Sequence, residues 1–132
     1  MNDDSPAGEA PPAVRRLVLV VDDDHDVAGA IRAVLESKGY RVIMAHDGNT
    51  GLALAQREAP DVLVCDMMMP KKSGFLVVEH LKRINSPAKI VMITANEGSR
   101  HMAYAEMLGV DAYLRKPFAM ERLVEEVKRL AP

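Results

Sequence analysis

Five apolar runs punctuate this chain, and between them the apolar positions change from contiguous to helical spacing. The runs are LVLVV (17–21), RVIMA (41–45), DVLVC (61–65), KIVMIT (89–94) and DAYLR (111–115). Three are almost unbroken Val, Ile, Leu and Met, the pattern of strands covered on both faces of a parallel sheet. The first intervening segment, 25–38, puts Val27, Ile31, Val34 and Leu35 on one stripe, with Gly39 as a stop. Residues 48–58 and 74–85 carry weaker helical patterns, the second starting after Ser73 and ending before Pro87. Asn96 suits the N-cap of a helix over 97–108, closed by Gly109. Residues 119–130 align Met120, Leu123, Val124, Val127 and Leu130 on one face. Strand and helix thus alternate five times, which predicts an α/β fold with a doubly wound parallel sheet and right-handed crossovers.

Composition narrows this picture without changing it. A chain of 132 residues makes one domain, large enough to bury about two-thirds of its unfolded surface. Residues 1–14, acidic and rich in Pro and Ala, read as a disordered tail with no secretory h-region, leaving 15–132 as the domain. The net charge of -2 gives no reason to expect direct nucleic-acid binding. No apolar segment approaches the roughly 20 residues of a membrane span. The single cysteine, Cys65, excludes an internal disulfide, reads as a buried inert thiol and suits a reducing cytoplasm.

In a doubly wound sheet, ligands bind outside the carboxyl ends of the strands, near the topological switch point. The residues that follow each run are therefore the candidates for chemistry. Asp22, Asp23 and Asp24 follow the first run and Asp66 the third. The fourth ends in Thr94, and Lys116 and Pro117 follow the fifth. His46 and Asp47, after the second, read as an ordinary turn into a helix. Singly, these residues have plain explanations: an N-cap cluster for the aspartates, a β-branched strand residue for Thr94, a surface lysine for Lys116. Together they bring carboxylates, a hydroxyl and an ammonium to one edge. Two carboxylates about 5 Å apart repel by roughly 3 kcal/mol at an effective dielectric near 20. Lys116 offsets part of this repulsion and a divalent ion the rest. All-oxygen ligation suits Mg²⁺, with Mn²⁺ also fitting, and no Cys/His grouping accompanies the carboxylates to favour Zn²⁺. Such a set suits phosphoryl transfer, with a carboxylate becoming an aspartyl phosphate while cation, lysine and hydroxyl stabilise the phosphoryl oxygens. Asp24 reads as a helix cap, and Met67 and Met69 read as packing. The four histidines form no metal-ligand grouping, and His80 and His101 read as solvated helix positions.

VLVVDDD, VLVCDMMMP with its following glycine, MITA and YLRKPF, in this order and spacing, resemble the receiver domain of bacterial two-component response regulators over about residues 16–130. The resemblance implies a flavodoxin-like (βα)5 fold, a five-stranded parallel sheet in order 2-1-3-4-5 flanked by five helices. It implies that Asp66 is the phosphoacceptor and that Asp23 ligates Mg²⁺ directly. Asp22 would act mainly through metal-bound water, and Met68 would give its backbone carbonyl to the metal. Thr94 would be the switch hydroxyl, Lys116 would pair with the phosphoryl group across a cis Lys116–Pro117 bond, and Tyr113 would be the aromatic that turns inward when Thr94 moves. Met68 and Asn96 occupy the positions that tune phosphoryl lifetime, and the Met68 side chain is expected to shield the aspartyl phosphate from water. Lys71-Lys72-Ser73 departs from the commonest loop sequence before the glycine.

The expected function is a regulatory phosphoacceptor that catalyses only its own phosphorylation and dephosphorylation. A sensor histidine kinase or histidine phosphotransfer protein would donate the phosphoryl group, and a downstream protein would read the 97–130 surface. A phosphorylation-dependent dimer is common in the family. The chain ends with its last helix, so the expectation is a stand-alone regulator or an excised receiver without a DNA-binding output domain. Two other readings are weighed against this one. An aspartyl-nucleophile Mg²⁺ phosphatase would carry a second aspartate where Met68 stands. A phosphorylation-independent interaction module would have no need of Asp66, Thr94 and Lys116.

Overall fold

The computed structural model describes residues 15–69, 72–95 and 99–132. Strands and helices alternate in the order β1 (Leu17–Val21), α1 (His25–Ser37), β2 (Arg41–Ala45), α2 (Gly48–Glu58), β3 (Val62–Asp66), α3 (Gly74–Arg83), β4 (Lys89–Thr94), α4 (Ser99–Leu108), β5 (Ala112–Arg115) and α5 (Met120–Leu130). The strands pair in parallel in the order β2-β1-β3-β4-β5. This is the α/β, doubly wound, flavodoxin-like arrangement that the alternation and the resemblance lead one to expect. The 1–14 tail, Lys71 and the Asn96 cap lie outside the described residues.

The two-residue period of the strands sorts their side chains into two cores. Val18 and Val20 of β1 face α1 and α5, where they meet Ile31, Leu35, Leu123 and Val127. Leu19 and Val21 face the other way, toward Ala55 of α2, Val77 and Leu81 of α3 and Ala105 of α4. Inner strands β1 and β3 are buried at every position, whereas edge strands β2 and β5 are only partly so. That difference is why only the inner runs read as continuous apolar sequence. Each fully buried Leu or Ile contributes roughly 1.5–3 kcal/mol.

Several boundaries differ from the sequence expectation by one or two residues, and three of these shifts have a local reason. Asp61 and Asp111 do not open their strands. Their carboxylates accept amides at the start of the neighbouring strands, Leu17 N–H (the first of β1) and Ile90 N–H (the second of β4), each at 2.8 Å. The third strand consequently begins at Val62 and runs on through Asp66. Helix α3 stops at Arg83 rather than 85, because Asn85 adopts φ 56°, outside the helical region. Elsewhere the expected caps are present. Asp24 accepts Asp26 N–H and Val27 N–H, Ser73 accepts Leu76 N–H, and Gly39 and Gly109 take the positive φ of helix stops.

Candidate functional site

The parallel arrangement brings the carboxyl ends of all five strands to one edge, and the register decides which residues meet there. Val21 pairs with Cys65, so the next residues, Asp22 and Asp66, lie side by side on adjacent strands. Asp66 in turn pairs with Ile93, which places Thr94 one step further along the neighbouring strand. Lys116 follows β5, its N–H donating to the Thr94 carbonyl at 2.7 Å, and the Lys116–Pro117 peptide is cis.

Loops then fix the side chains. Asp22 N–H donates to the Ala45 carbonyl at 3.1 Å, and Asp24 N–H donates to Asp22 Oδ1 at 2.9 Å. Across the site, Met68 N–H donates to Asp66 Oδ1 at 3.2 Å and Gly74 N–H to the Met67 carbonyl at 2.9 Å. A Cβ on Gly74 would collide with the Asp66 carbonyl oxygen, so only glycine lets this loop close so tightly. Lys116 Nζ stands 3.0 Å from Asp22 Oδ2 and 3.5 Å from Asp66 Oδ2.

Burial makes this constellation electrostatically tense. Asp22 and Thr94 are 0% exposed and Asp66 is 5% exposed, whereas Asp23 opens to solvent. Carboxylate oxygens of Asp22, Asp23 and Asp66 all lie within 4.8 Å of one another. Loss of hydration, then the Asp22 charge, pushes the Asp66 carboxyl up to about 6, against the opposing pull of Lys116 and of Met68 N–H. Burial draws the Lys116 ammonium down, but the Asp22 and Asp66 carboxylates outweigh it, and its pKa ends above the ordinary value. The Cys65 thiol is driven up by burial and by the same carboxylates, which leaves it unreactive as expected.

The residues present fit a hard divalent cation. Three clustered carboxylates face one ammonium, leaving uncompensated negative charge. Asp22 Oδ2 is buried, and the charge that faces it is the Lys116 ammonium at 3.0 Å. Asp23 lies on the solvent side, where a hydrated ion keeps its waters.

The structure thus brings together Asp22, Asp23, Asp66 and Lys116 by distance, Thr94 by register and Met68 through its backbone. The Met68 side chain is 54% exposed, while Met67 is fully buried and Met69 packs against the core, as expected for packing residues. Tyr113 lies further off, on edge strand β5. Its ring packs against the α2–α4 core and its hydroxyl is buried without a hydrogen-bond partner.

Two histidines escaped the sequence reading. His46 is no ordinary turn residue. Its Nδ1 lies 3.0 Å from the Asp22 carbonyl oxygen, and its ring stacks on His25 with centroids 3.7 Å apart and planes at 13°. The available signal was its place, directly after the second strand on the edge that carries Asp22 and Asp66. His101 is also not solvated. It is half-buried against the Phe75 ring at 5.8 Å, because α4 turns that face toward α3.

A parallel 2-1-3-4-5 sheet with carboxylates just after β1 and at the end of β3 and a lysine beyond β5 defines a two-component receiver. Residues 18–128 match the response regulator receiver domain, and the chain belongs to that family. It is 37% identical over 113 residues to response regulator MprA of Mycobacterium ulcerans, covering 86% of this chain and 49% of that protein. The chain spans about half the length of the curated relatives it matches. Its fold is similar to the receiver domain of Francisella response regulator 1452, with a TM-score of 0.84, 31% identity and coverage of 89% of this chain and 97% of that one. It is also similar to Vibrio cholerae chemotaxis protein CheY4, with a TM-score of 0.81, 30% identity and coverage of 88% and 98%.

Proposed function

We propose that Asp66 is the residue on which this receiver is phosphorylated, within a site formed by Asp22, Asp23, Met68, Thr94 and Lys116. The observation that carries this reading is the packing of three carboxylates within 4.8 Å beside the Lys116 ammonium, with Asp66 buried and poorly solvated. Asp23 and Asp66 would hold Mg²⁺ together with the Met68 carbonyl, Asp22 would act through its water, and Mn²⁺ would serve in its place. Bound there, the ion would neutralise charge on the phosphoryl oxygens.

The chain's own groups do the rest. An Asp66 carboxylate oxygen forms a bond to phosphorus as the donor's P–N bond breaks, and the freed imidazole leaves as the donor side chain. Lys116 moves from its carboxylate partners to the new phosphoryl oxygens, and the Thr94 hydroxyl donates to one of them. The added charge of about −1.5 to −2 draws Thr94 over, and Tyr113 follows into the space behind it. The chain is regulatory, and its only catalysis is of its own phosphorylation and dephosphorylation.

Its donor is a histidine kinase or a histidine phosphotransfer protein, in the cytoplasm. A downstream protein reads the 97–130 surface, and phosphorylation-dependent dimers through that surface belong to the same proposal. A groove of about 500 Å³ lined by Met102, Tyr113, Arg115, Phe118 and Arg122 supports an output contact there. Among the described residues no helix is long and apolar enough to cross a membrane, and the net charge of -2 gives no support to direct nucleic-acid contact.

Incubation with Mg²⁺ and acetyl phosphate or phosphoramidate, followed by intact mass, tests the assignment. The expected result is a gain of one phosphoryl group that Asp66→Ala abolishes. Absence of an adduct with every donor, or its persistence in Asp66→Ala, would overturn it.

A further inference from the structure

The geometry points to His46 as a positioning residue for the cation site, acting through the Asp22 carbonyl. The inference rests on the proposed role of Asp23 and Asp66 as metal ligands and adds a residue to it. Asp23 is exposed, and the backbone that carries it sets the direction of the Cα–Cβ bond from which its carboxylate reaches the site. That backbone is the Asp22–Asp23 peptide, whose carbonyl oxygen lies 3.0 Å from His46 Nδ1. A carbonyl can only accept, so Nδ1 carries the hydrogen and donates. This bond restrains rotation of the peptide plane, and with it the direction in which the Asp23 Cα–Cβ bond leaves the chain.

His46 is itself rigidly mounted. On one side, Ala45 ends β2 and its carbonyl accepts Asp22 N–H at 3.1 Å. On the other, Asp47 caps α2 by accepting Thr50 N–H at 2.8 Å. The imidazole is braced by His25, the first residue of α1, in a near-parallel stack with centroids 3.7 Å apart. One ring therefore ties the β2–α2 turn to the β1–α1 turn, on the side of Asp22 away from Asp66. Groups that orient metal ligands from behind commonly change affinity when removed, although they touch no metal.

The test uses the full chain with Mg²⁺ alone, read by calorimetry, and then with acetyl phosphate. His46→Ala is expected to raise the Mg²⁺ Kd about 3- to 10-fold. The Mg²⁺ concentration for half-maximal phosphorylation should rise by the same factor, while the maximal rate at saturating Mg²⁺ changes less than about two-fold. His46→Asn places an amide donor close to Nδ1 and is expected to return both values to within about two-fold of the wild type. His46→Phe keeps the stack on His25 without the donor and should resemble His46→Ala. A wild-type Kd in His46→Phe, or an Asn variant as impaired as the Ala variant, would overturn the positioning role. A wild type that binds Mg²⁺ but accepts no phosphoryl group would instead sink Asp66 as acceptor, with the Kd series still reading His46. A wild type that binds no Mg²⁺ would sink both.

Discussion

Asp66 is held in a place where its charge is costly, and this has a measurable consequence in the metal-free protein. Its folded pKa of about 6 lies above the reference value of 3.8, first because burial removes hydration and second because Asp22 is charged beside it. A group raised on folding adds stability that is fully present below its unfolded pKa and lost as pH rises through its folded pKa. The metal-free receiver should therefore lose on the order of 1–3 kcal/mol through this residue between about pH 4 and 7. Urea unfolding of wild type and Asp66→Asn across that range isolates the effect. The difference should favour the asparagine variant increasingly toward pH 7 and shrink when Mg²⁺ is added. A pH-independent difference would mean that Asp66 is not strained by its neighbours. If Asp66 is the phosphoacceptor proposed above, the same protonation removes its nucleophilic carboxylate, so the rate of phosphorylation should fall as pH drops through about 6 at low Mg²⁺ and at a lower pH when Mg²⁺ is saturating.

At the scale of elements, the site depends on how tightly the β3–α3 loop closes over the strand end. Gly74 N–H donates to the Met67 carbonyl, and the glycine backbone abuts the Asp66 carbonyl with no room for a methyl group. Gly74→Ala is therefore expected to cost about 1–3 kcal/mol of stability and to weaken Mg²⁺ binding, because the displaced loop also carries Met68. Chemical denaturation and calorimetry would check both, and a variant of unchanged stability would show that the loop can relax freely. This close approach was not legible in the sequence, where Gly74 reads as a helix start and as the glycine that follows VLVCDMMMP. A glycine's meaning depends on what stands opposite its Cα. The caps, by contrast, were legible, since Asp24, Ser73, Gly39 and Gly109 act within one or two turns of their own position.

Over the whole molecule, the two cores share one sheet, so local packing and global stability are closely linked. Cys65 is fully buried in the middle strand, beside the site but inaccessible to reagent. Thiol labelling should consequently require large-scale opening and report its equilibrium. Saturating Mg²⁺ at about 100 times its Kd should slow labelling roughly 100-fold when opening is at equilibrium, matching a stabilisation of about 2.7 kcal/mol. Labelling that is fast and indifferent to Mg²⁺ would mean that β3 opens locally without disturbing the acidic cluster.

Element type and order, the sheet class and the residues at the strand ends were determined by the sequence itself, because period, apolar continuity and cap chemistry are local properties of the chain. Asp22, Asp66, Thr94 and Lys116 could be picked out because each stands at the end of an apolar run or directly after one. Only the tertiary structure decided the rest. It set the β1–β3 register that places Asp22 beside Asp66, the burial that raises the Asp66 pKa, and the ion pairs of Lys116. It also drew in His46, unremarkable after the second strand until the turn beyond β1 brings the Asp22 carbonyl to its ring. Hydrogen bonding and desolvation between residues 24 positions apart depend on how the strands are laid side by side, and no spacing along the chain records that.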